Sequence, residues 1–280
     1  MKVWLGPAGV PVSSKDRSTL AGLRTVSELD LNSMEIEFVR RVGMNNDLAK
    51  EVGELAKKLN IRLSIHAPYY VNLCSIDKEK LEASKKRILD SVERSHFMYS
   101  DIVVFHPGYY QKLSKEGAYE KVKEACEDMR DRMKEKGITD VKLGLETTGK
   151  VSQFGTLDEN IQLSKELKEC AVVIDWAHLY ARNGGRIDFS EIFDKVSVLK
   201  PKHLHTHFSC IEFSPVGMKG QGNERYHLTL DTKKPDFEPL VKEILKRKID
   251  ITLISESPIL EKDALVMKKL FEKNGYKFNE

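Results

Sequence analysis

Eight short apolar runs alternate with longer amphipathic segments along this chain, and the alternation limits its fold more than any other feature. The apolar runs, which predict β-strands, cover residues 2–6, 34–39, 62–67, 101–106, 142–147, 171–175, 203–208 and 251–256. The segments between them, among them 47–60, 77–100, 118–137 and 236–248, carry apolar residues at helical spacing. Eight strand and helix units predict an α/β fold, the (β/α)8 or TIM barrel, with residues 1–280 as a single domain.

The runner-up fold is a doubly wound open sheet. It would normally need fewer units, and it often has a glycine-rich phosphate loop after the first strand. Residues 6–11, GPAGVP, do not fit the GxGxxG pattern of such a loop. The barrel is therefore the favoured fold.

Composition narrows the class of protein. The chain has 280 residues, 40% of them hydrophobic, which is ample for a buried core. No apolar run approaches the roughly 20 residues of a membrane span, and the first residues lack the pattern of a signal peptide. We therefore expect a cytoplasmic monomer with no membrane contact and no inferred protein partner. The 46 basic and 43 acidic residues nearly balance, so net charge neither requires nor excludes a nucleic acid.

Residues with metal-binding chemistry follow or end most of the predicted strands. In a barrel, the carboxyl ends of the strands meet at one mouth, where the chemistry of such enzymes lies. The side chains concerned are His66, His106, Glu146, Asp175, His178, His205 and Glu256. Imidazoles and carboxylates suit zinc, and this many ligands exceed the three protein contacts of a single catalytic zinc ion. The sequence therefore predicts a cluster of two or three ions.

Each of these residues also has an ordinary structural interpretation. A single histidine at a strand end is most often a hydrogen-bonded residue, and Asp175 would serve as the N-cap of a helix over 176–182. Glu146 and Glu256 would be ion-paired or capping carboxylates. Six successive strands ending in such residues favour the metal site.

Six motifs carry a family resemblance. In order and spacing, SIHAPYYVNL, VVFHPG, LGLETTGK, VVIDWAH, LHTHFS and ISESP resemble the endonuclease IV family of apurinic/apyrimidinic endonucleases, particularly its archaeal-type relatives. The resemblance covers about residues 60–260. Each motif alone is weak evidence, whereas the ordered set is specific.

The resemblance implies a zinc-dependent phosphodiesterase that cleaves duplex DNA 5′ to abasic sites. It implies one zinc ion held by His66, His106 and Glu146, a second held by Glu146, Asp175, His205 and Glu256, and a third held with help from His178 and His227. Hydroxide activated by two of the ions would attack phosphorus without a protein nucleophile. Glu146 is accordingly the candidate catalytic residue.

Two departures from the family pattern concern the third ion and the substrate. Arg225 occupies the place of the aspartate in the family's Asp-x-His pair, two residues before His227. Either Glu224 supplies a carboxylate from one position earlier, or Arg225 holds a substrate phosphate. His207 replaces a neutral polar residue of the family. With Tyr69, which matches a family tyrosine near the DNA insertion point or is an ordinary loop residue, Arg225 and His207 are the candidate substrate-binding residues.

The segment 214–225, SPVGMKGQGNER, is basic and rich in glycine. It would track phosphates or close over the pocket, but a solvated flexible loop is the favoured interpretation.

The main alternative is another use of the same barrel. Sugar isomerases and epimerases related to xylose isomerase also place carboxylates and histidines around divalent ions, and fold alone does not exclude them. The number of histidines favours zinc and phosphoester hydrolysis. A non-catalytic DNA-binding or metal-storage protein is the least favoured class, because the candidate ligands gather in one predicted pocket.

Overall fold

A computed structural model describes residues 1–217 and 220–278. In this part of the chain, twelve strands occur in the order β1 Val3–Pro7, β2 Ser33–Glu37, β3 Arg62–His66, β4 Ile102–Phe105, β5 Gly108–Tyr109, β6 Lys142–Glu146, β7 Gln153–Phe154, β8 Cys170–Asp175, β9 His203–Phe208, β10 Cys210–Val216, β11 Gln221–Leu228 and β12 Asp250–Ser255.

Nine α-helices lie between and after these strands in the described residues. They are α1 Thr19–Glu28, α2 Asn46–Lys58, α3 Lys78–Phe97, α4 Lys115–Glu135, α5 Leu157–Glu166, α6 Trp176–Arg182, α7 Phe189–Ser197, α8 Glu238–Arg247 and α9 Glu261–Lys273. Polar side chains begin several of them by accepting hydrogen bonds from the first turn, among them Ser18, Asn45 and Asp77. Among the helices of 1–217 and 220–278, none is both long and apolar enough to cross a membrane.

The chain divides into two compact units. The first unit contains residues 1–34, 149–151 and 174–280, and the second contains residues 35–148 and 152–173. In the first unit, β1, β12 and β9 are neighbouring parallel strands in that order. In the second unit the strand order is β8, β6, β4, β3 and β2, with parallel pairing from β3 through β8.

The strands are buried because their side chains are apolar on both faces, as expected for parallel strands covered by helices. In β4, for example, all four residues are buried, and Ile102 and Val104 pack with Val173 of β8 in one core cluster of the second unit. Such packing fixes the strand ends, where the candidate site residues lie.

All eight predicted strands are present, and no predicted bound differs from the observed one by more than two residues. The prediction of a flexible loop at 214–225 was wrong for the described part of that segment, because β10 and β11 pair as an antiparallel hairpin. Met218 and Lys219 of this segment lie outside the described residues. The short antiparallel pair of β5 and β7 was also not predicted.

Candidate metal centre

Three residues at the ends of neighbouring strands of the second unit form a first cluster: His66, His106 and Glu146. His66 ends β3, His106 follows β4 and Glu146 ends β6. Because these strands are parallel neighbours, their carboxyl ends bring the three side chains together. One potential ligand atom of each lies within 4.8 Å of the others.

The hydrogen bonds of the first cluster direct both imidazoles toward the same carboxylate oxygen. Oε2 of Glu146 lies 3.1 Å from Nε2 of His66 and 2.8 Å from Nε2 of His106. The Nδ1 of His66 donates to the carbonyl oxygen of Ala67 at 2.8 Å, which fixes the ring so that Nε2 faces Glu146. A hydrogen bond of this kind, from the ring nitrogen that faces away from the ion, orients histidines that bind metals.

The charge around His66 is strongly negative. Burial by itself lowers the pKa of His66, but the negative charges of Glu37, Glu146 and Glu35 outweigh burial and raise the pKa to about 10. Three carboxylates near one buried imidazole stabilise a positive charge there. This environment fits a divalent cation as well as a proton.

Sequence reasoning did not identify Glu35 and Glu37 as part of this environment. Both lie on β2, and Glu35 is completely buried. The available signal was the alternation of Glu35 and Glu37 with Met34 and Ile36, because charged residues are rare in a buried strand unless they have partners.

Tyr69 lies beside the first cluster. Its ring centroid is 5.3 Å from that of His66 and 6.4 Å from that of His106. About half of its side chain is exposed, so the ring is accessible from solvent at the edge of the cluster.

A second cluster lies in the first unit and consists of His178, His227 and Glu256. His178 belongs to α6, His227 to β11, and Glu256 follows β12. One potential ligand atom of each lies within 4.8 Å of the others. Nε2 of His227 is 3.9 Å from Oε2 of Glu256, and the hydroxyl of Ser209 bonds Nδ1 of His227 at 2.6 Å, so that Nε2 faces the cluster.

Two further predicted ligands, Asp175 and His205, and the predicted substrate-binding residue His207 are buried near the second cluster. His207 is completely buried, with Nδ1 at 3.2 Å from Oε1 of Glu256. The His205 ring lies 5.4 Å from the His207 ring. Asp175 is the N-cap of α6 and accepts the backbone N–H of His178 at 2.5 Å, while its Oδ1 is 3.7 Å from Nδ1 of the same residue. The capping and metal interpretations of Asp175 are therefore compatible.

Glu224 and Arg225 are placed differently from each other. Oε2 of Glu224 lies 3.1 Å from Nε2 of His178, whereas Arg225 is exposed. Of the two alternatives left by the sequence, the geometry brings the carboxylate of Glu224, and not the guanidinium, to His178.

The first cluster fits zinc in its donor types and in its distances, and the second has the same donor types. Their donors are imidazole nitrogens and carboxylate oxygens, and two ligand atoms on one tetrahedral zinc ion are roughly 3.3 Å apart at the usual bond lengths. The 2.8 and 3.1 Å separations in the first cluster are close to this value. Thiols play no part, since none of the four cysteines belongs to either group.

A protein-family model described as a xylose isomerase-like TIM barrel matches residues 23–270. This match and the eight observed strands confirm the predicted barrel fold.

Two similar proteins differ in coverage. An uncharacterized protein of Methanocaldococcus jannaschii is 36% identical over 274 residues, which cover 95% of this chain and 96% of the relative. A probable endonuclease 4 of Ureaplasma parvum is 30% identical over 141 residues, which cover 46% of this chain and 44% of the relative. The second match thus spans less than half of either protein.

Two solved structures share the fold over nearly the whole chain. Endonuclease IV from Thermus thermophilus has a TM-score of 0.70 at 20% identity and covers 98% of this chain and 100% of its own. A D-tagatose 3-epimerase-like protein has a TM-score of 0.71 at 18% identity, and the match covers 98% of this chain and 96% of that protein's chain. At these identities the likeness concerns the fold alone.

Proposed function

We propose, given that this chain belongs to the xylose isomerase-like TIM barrel family, that it is a zinc-dependent phosphodiesterase that cleaves duplex DNA 5′ to abasic sites. The observation that carries the proposal is the first cluster, in which two imidazoles converge on one buried carboxylate oxygen in a strongly negative environment. A cation at such a site can activate water, so that a phosphodiester is hydrolysed without a protein nucleophile.

His66, His106 and Glu146 would hold one ion, and His178, His227 and Glu256 would hold another. When bound, zinc would supply Lewis-acid polarisation of a phosphoryl oxygen and a lowered pKa for water. Sites of this composition leave a coordination position for substrate when three protein ligands are used.

The residues of the chain itself orient these ligands. The Ala67 carbonyl forms a hydrogen bond with Nδ1 of His66, and the Ser209 hydroxyl forms one with Nδ1 of His227. These bonds keep Nε2 of both histidines directed into the clusters. Tyr69 would contact the sugar or phosphate next to the first cluster. Such prior orientation avoids reorganisation during the reaction.

The names of similar proteins support DNA as the substrate. The relative from Ureaplasma parvum is a probable endonuclease 4, and the Thermus thermophilus structure is an endonuclease IV. A sugar epimerase is the second candidate, because a D-tagatose 3-epimerase-like protein has an equally similar fold. The sequence matches favour the endonuclease.

The test is cleavage of a labelled duplex with a single tetrahydrofuran abasic analogue by the zinc-loaded protein. The substitution Glu146→Gln should lower the rate at least about 100-fold, because loss of a ligand costs more than the 10- to 100-fold typical of losing a residue that only orients a ligand. It should also reduce bound zinc.

Glu159→Gln is the matched control. Glu159 is a half-buried glutamate of the same unit whose carboxylate caps α5, so its variant should keep the cleavage activity. Equal activity of wild type and Glu146→Gln, or epimerisation of a ketose with no cleavage, would contradict the proposal.

A further inference from the structure

The hairpin formed by β10 and β11 packs on α6, the helix that carries His178. Ile211 of β10 is buried against Ala177 and Ala181 of α6, and Phe213 and Tyr180 pack at the edge of this contact. Ile211 and Phe213 are two residues apart on one strand, so their side chains share the face that contacts α6.

A β-bulge in this hairpin changes which residues of β11 share that face. Ile211 pairs with His227 and Phe213 pairs with Glu224, and the register shifts between Glu212 and Phe213. Arg225 is therefore the extra residue of β11. Because paired residues lie on the same face, Glu224 and His227 both lie on the face toward α6, although they are three positions apart in the sequence.

In a strand without the bulge, residues three apart would lie on opposite faces, and position 225 would share the face of His227. The bulge thus exchanges the faces on which positions 224 and 225 lie. It brings a carboxylate to the side of α6 and leaves Arg225 exposed.

The surroundings of Glu224 are shaped around its carboxylate. Oε2 lies 3.1 Å from Nε2 of His178, and Oε1 lies 3.4 Å from the ammonium of Lys150. The backbone N–H of Glu224 donates to the carbonyl of Gly149 at 3.0 Å. A Cβ atom on Gly149 would come within 2.0 Å of Oε2, so only glycine leaves room for the carboxylate in this position.

We propose that Glu224 is a metal ligand beside His178 at the second cluster, and that the bulge at Arg225 places it there. The 3.1 Å separation between Glu224 and His178 is close to the roughly 3.3 Å expected for two ligands of one tetrahedral zinc ion. The inference rests on the proposed function only in that both need a bound divalent ion.

The alternative role for Glu224 is to orient His178 through a hydrogen bond without binding metal. A glutamine side chain could accept that hydrogen bond through its amide oxygen, but a neutral amide is a poor zinc ligand. The substitution Glu224→Gln therefore separates the two roles.

The experiment is a titration of the metal-free full chain with Co²⁺, followed by visible absorption and by elemental analysis of the bound metal. Glu224→Gln should bind one equivalent fewer than wild type. Gly149→Ala, which keeps the carboxylate but displaces it, should lose the same equivalent. Circular dichroism checks that both variants are folded.

Glu212→Gln is the matched control. Glu212 is a half-buried glutamate of the same hairpin that lies between Ile211 and Phe213, so its side chain is on the face of β10 away from α6. This variant should bind as much Co²⁺ as wild type. A folded Glu224→Gln variant with wild-type Co²⁺ uptake and absorption would overturn the proposal, whatever Gly149→Ala does.

The double variant Glu224→Gln with Arg225→Asp tests the role of the bulge. We expect no recovery of the lost equivalent, because position 225 does not face His178. Full recovery of the lost Co²⁺ equivalent would show that the bulge does not decide which residue binds the metal ion. A wild-type protein that binds Co²⁺ but leaves DNA intact would contradict only the proposed function, whereas one that binds no Co²⁺ would contradict both proposals.

Discussion

At the scale of single residues, a metal ion and a proton compete for His66 in the first cluster. Burial lowers its pKa, while the charges of Glu37, Glu146 and Glu35 raise it to about 10. In the metal-free protein this ion pairing stabilises the fold fully below the ordinary pKa of 6.5, and the contribution is lost as the pH rises through about 10. At neutral pH, His66 therefore carries a proton that a metal ion must displace.

We expect zinc binding near pH 7.5 to release a proton from His66, and the apparent zinc affinity to rise by about tenfold per pH unit between pH 7 and 9. Calorimetric titrations in two buffers with different ionisation enthalpies measure the number of protons released. His96→Gln, which changes a partly exposed histidine paired with Asp140 in the same unit, should release as many protons as wild type. Zinc binding without proton release would contradict this account of the cluster.

The sequence was enough to predict which residues belong to the site, but not which side chains each of them contacts. His203, His205 and His207 occupy alternate positions of β9 and therefore share one face of the strand, yet they have different environments. His203 bonds the Thr252 hydroxyl at 2.9 Å and contacts the Trp4 ring, whereas His205 and His207 are buried. These differences depend on the neighbouring strand β12 and on Glu256, which are distant in sequence. The metal-binding role of His205 and the substrate-binding role of His207 stay predictions.

At the scale of elements, the start of α9 is tied to the segment after β1. Glu261, the first residue of α9, is buried and accepts the backbone N–H groups of Val12 and Ser13 at 2.8 and 2.9 Å. Burial raises the pKa of Glu261, but these hydrogen bonds outweigh it and lower the pKa below its ordinary value of 4.5. The bonds therefore stabilise the fold above that pH, and the stabilisation is lost as the pH falls through the lowered pKa.

Replacing Glu261 by glutamine should lower the free energy of unfolding by about 2 kcal/mol at pH 7, because hydrogen bonds to a charged group contribute roughly 1.5–3 kcal/mol. Urea denaturation measures the change. The difference in the free energy of unfolding between variant and wild type should shrink as the pH falls below 4.5, the ordinary pKa of Glu261, because the wild-type carboxylate then becomes neutral like the glutamine. Glu272→Gln, at an exposed position of the same helix, should have little effect, and an equal loss in both variants would contradict the assigned role of Glu261.

The elements themselves were largely predictable, because apolar runs bounded by charged helical segments identify buried parallel strands. The hairpin of β10 and β11 was missed for a physical reason. Only Cys210 and Ile211 of β10 are buried, so its sequence lacks the apolar run by which the other strands were identified, and its glycines indicate a loop. The bulge at Arg225 depends on packing against α6, which no local pattern reveals.

At the scale of the whole molecule, the alternation of eight strands with helices was enough to predict the barrel family that the comparisons confirm. Fold does not select the reaction, since an endonuclease IV and an epimerase-like protein match it about equally well. The choice of phosphodiester hydrolysis rests on the chemistry of the ligand clusters and on the sequence matches to probable endonucleases.

The most direct measurement of that central claim is the chemistry of the ends produced on DNA. A duplex with one tetrahydrofuran abasic analogue, which cannot undergo β-elimination, is labelled on either side of the lesion and incubated with the zinc-loaded protein. We expect one nick immediately 5′ to the lesion, with a 3′-hydroxyl that a DNA polymerase extends and a 5′-phosphate on the fragment that carries the analogue. An intact duplex in the presence of fully metallated protein, or a nick at another position, would contradict the account.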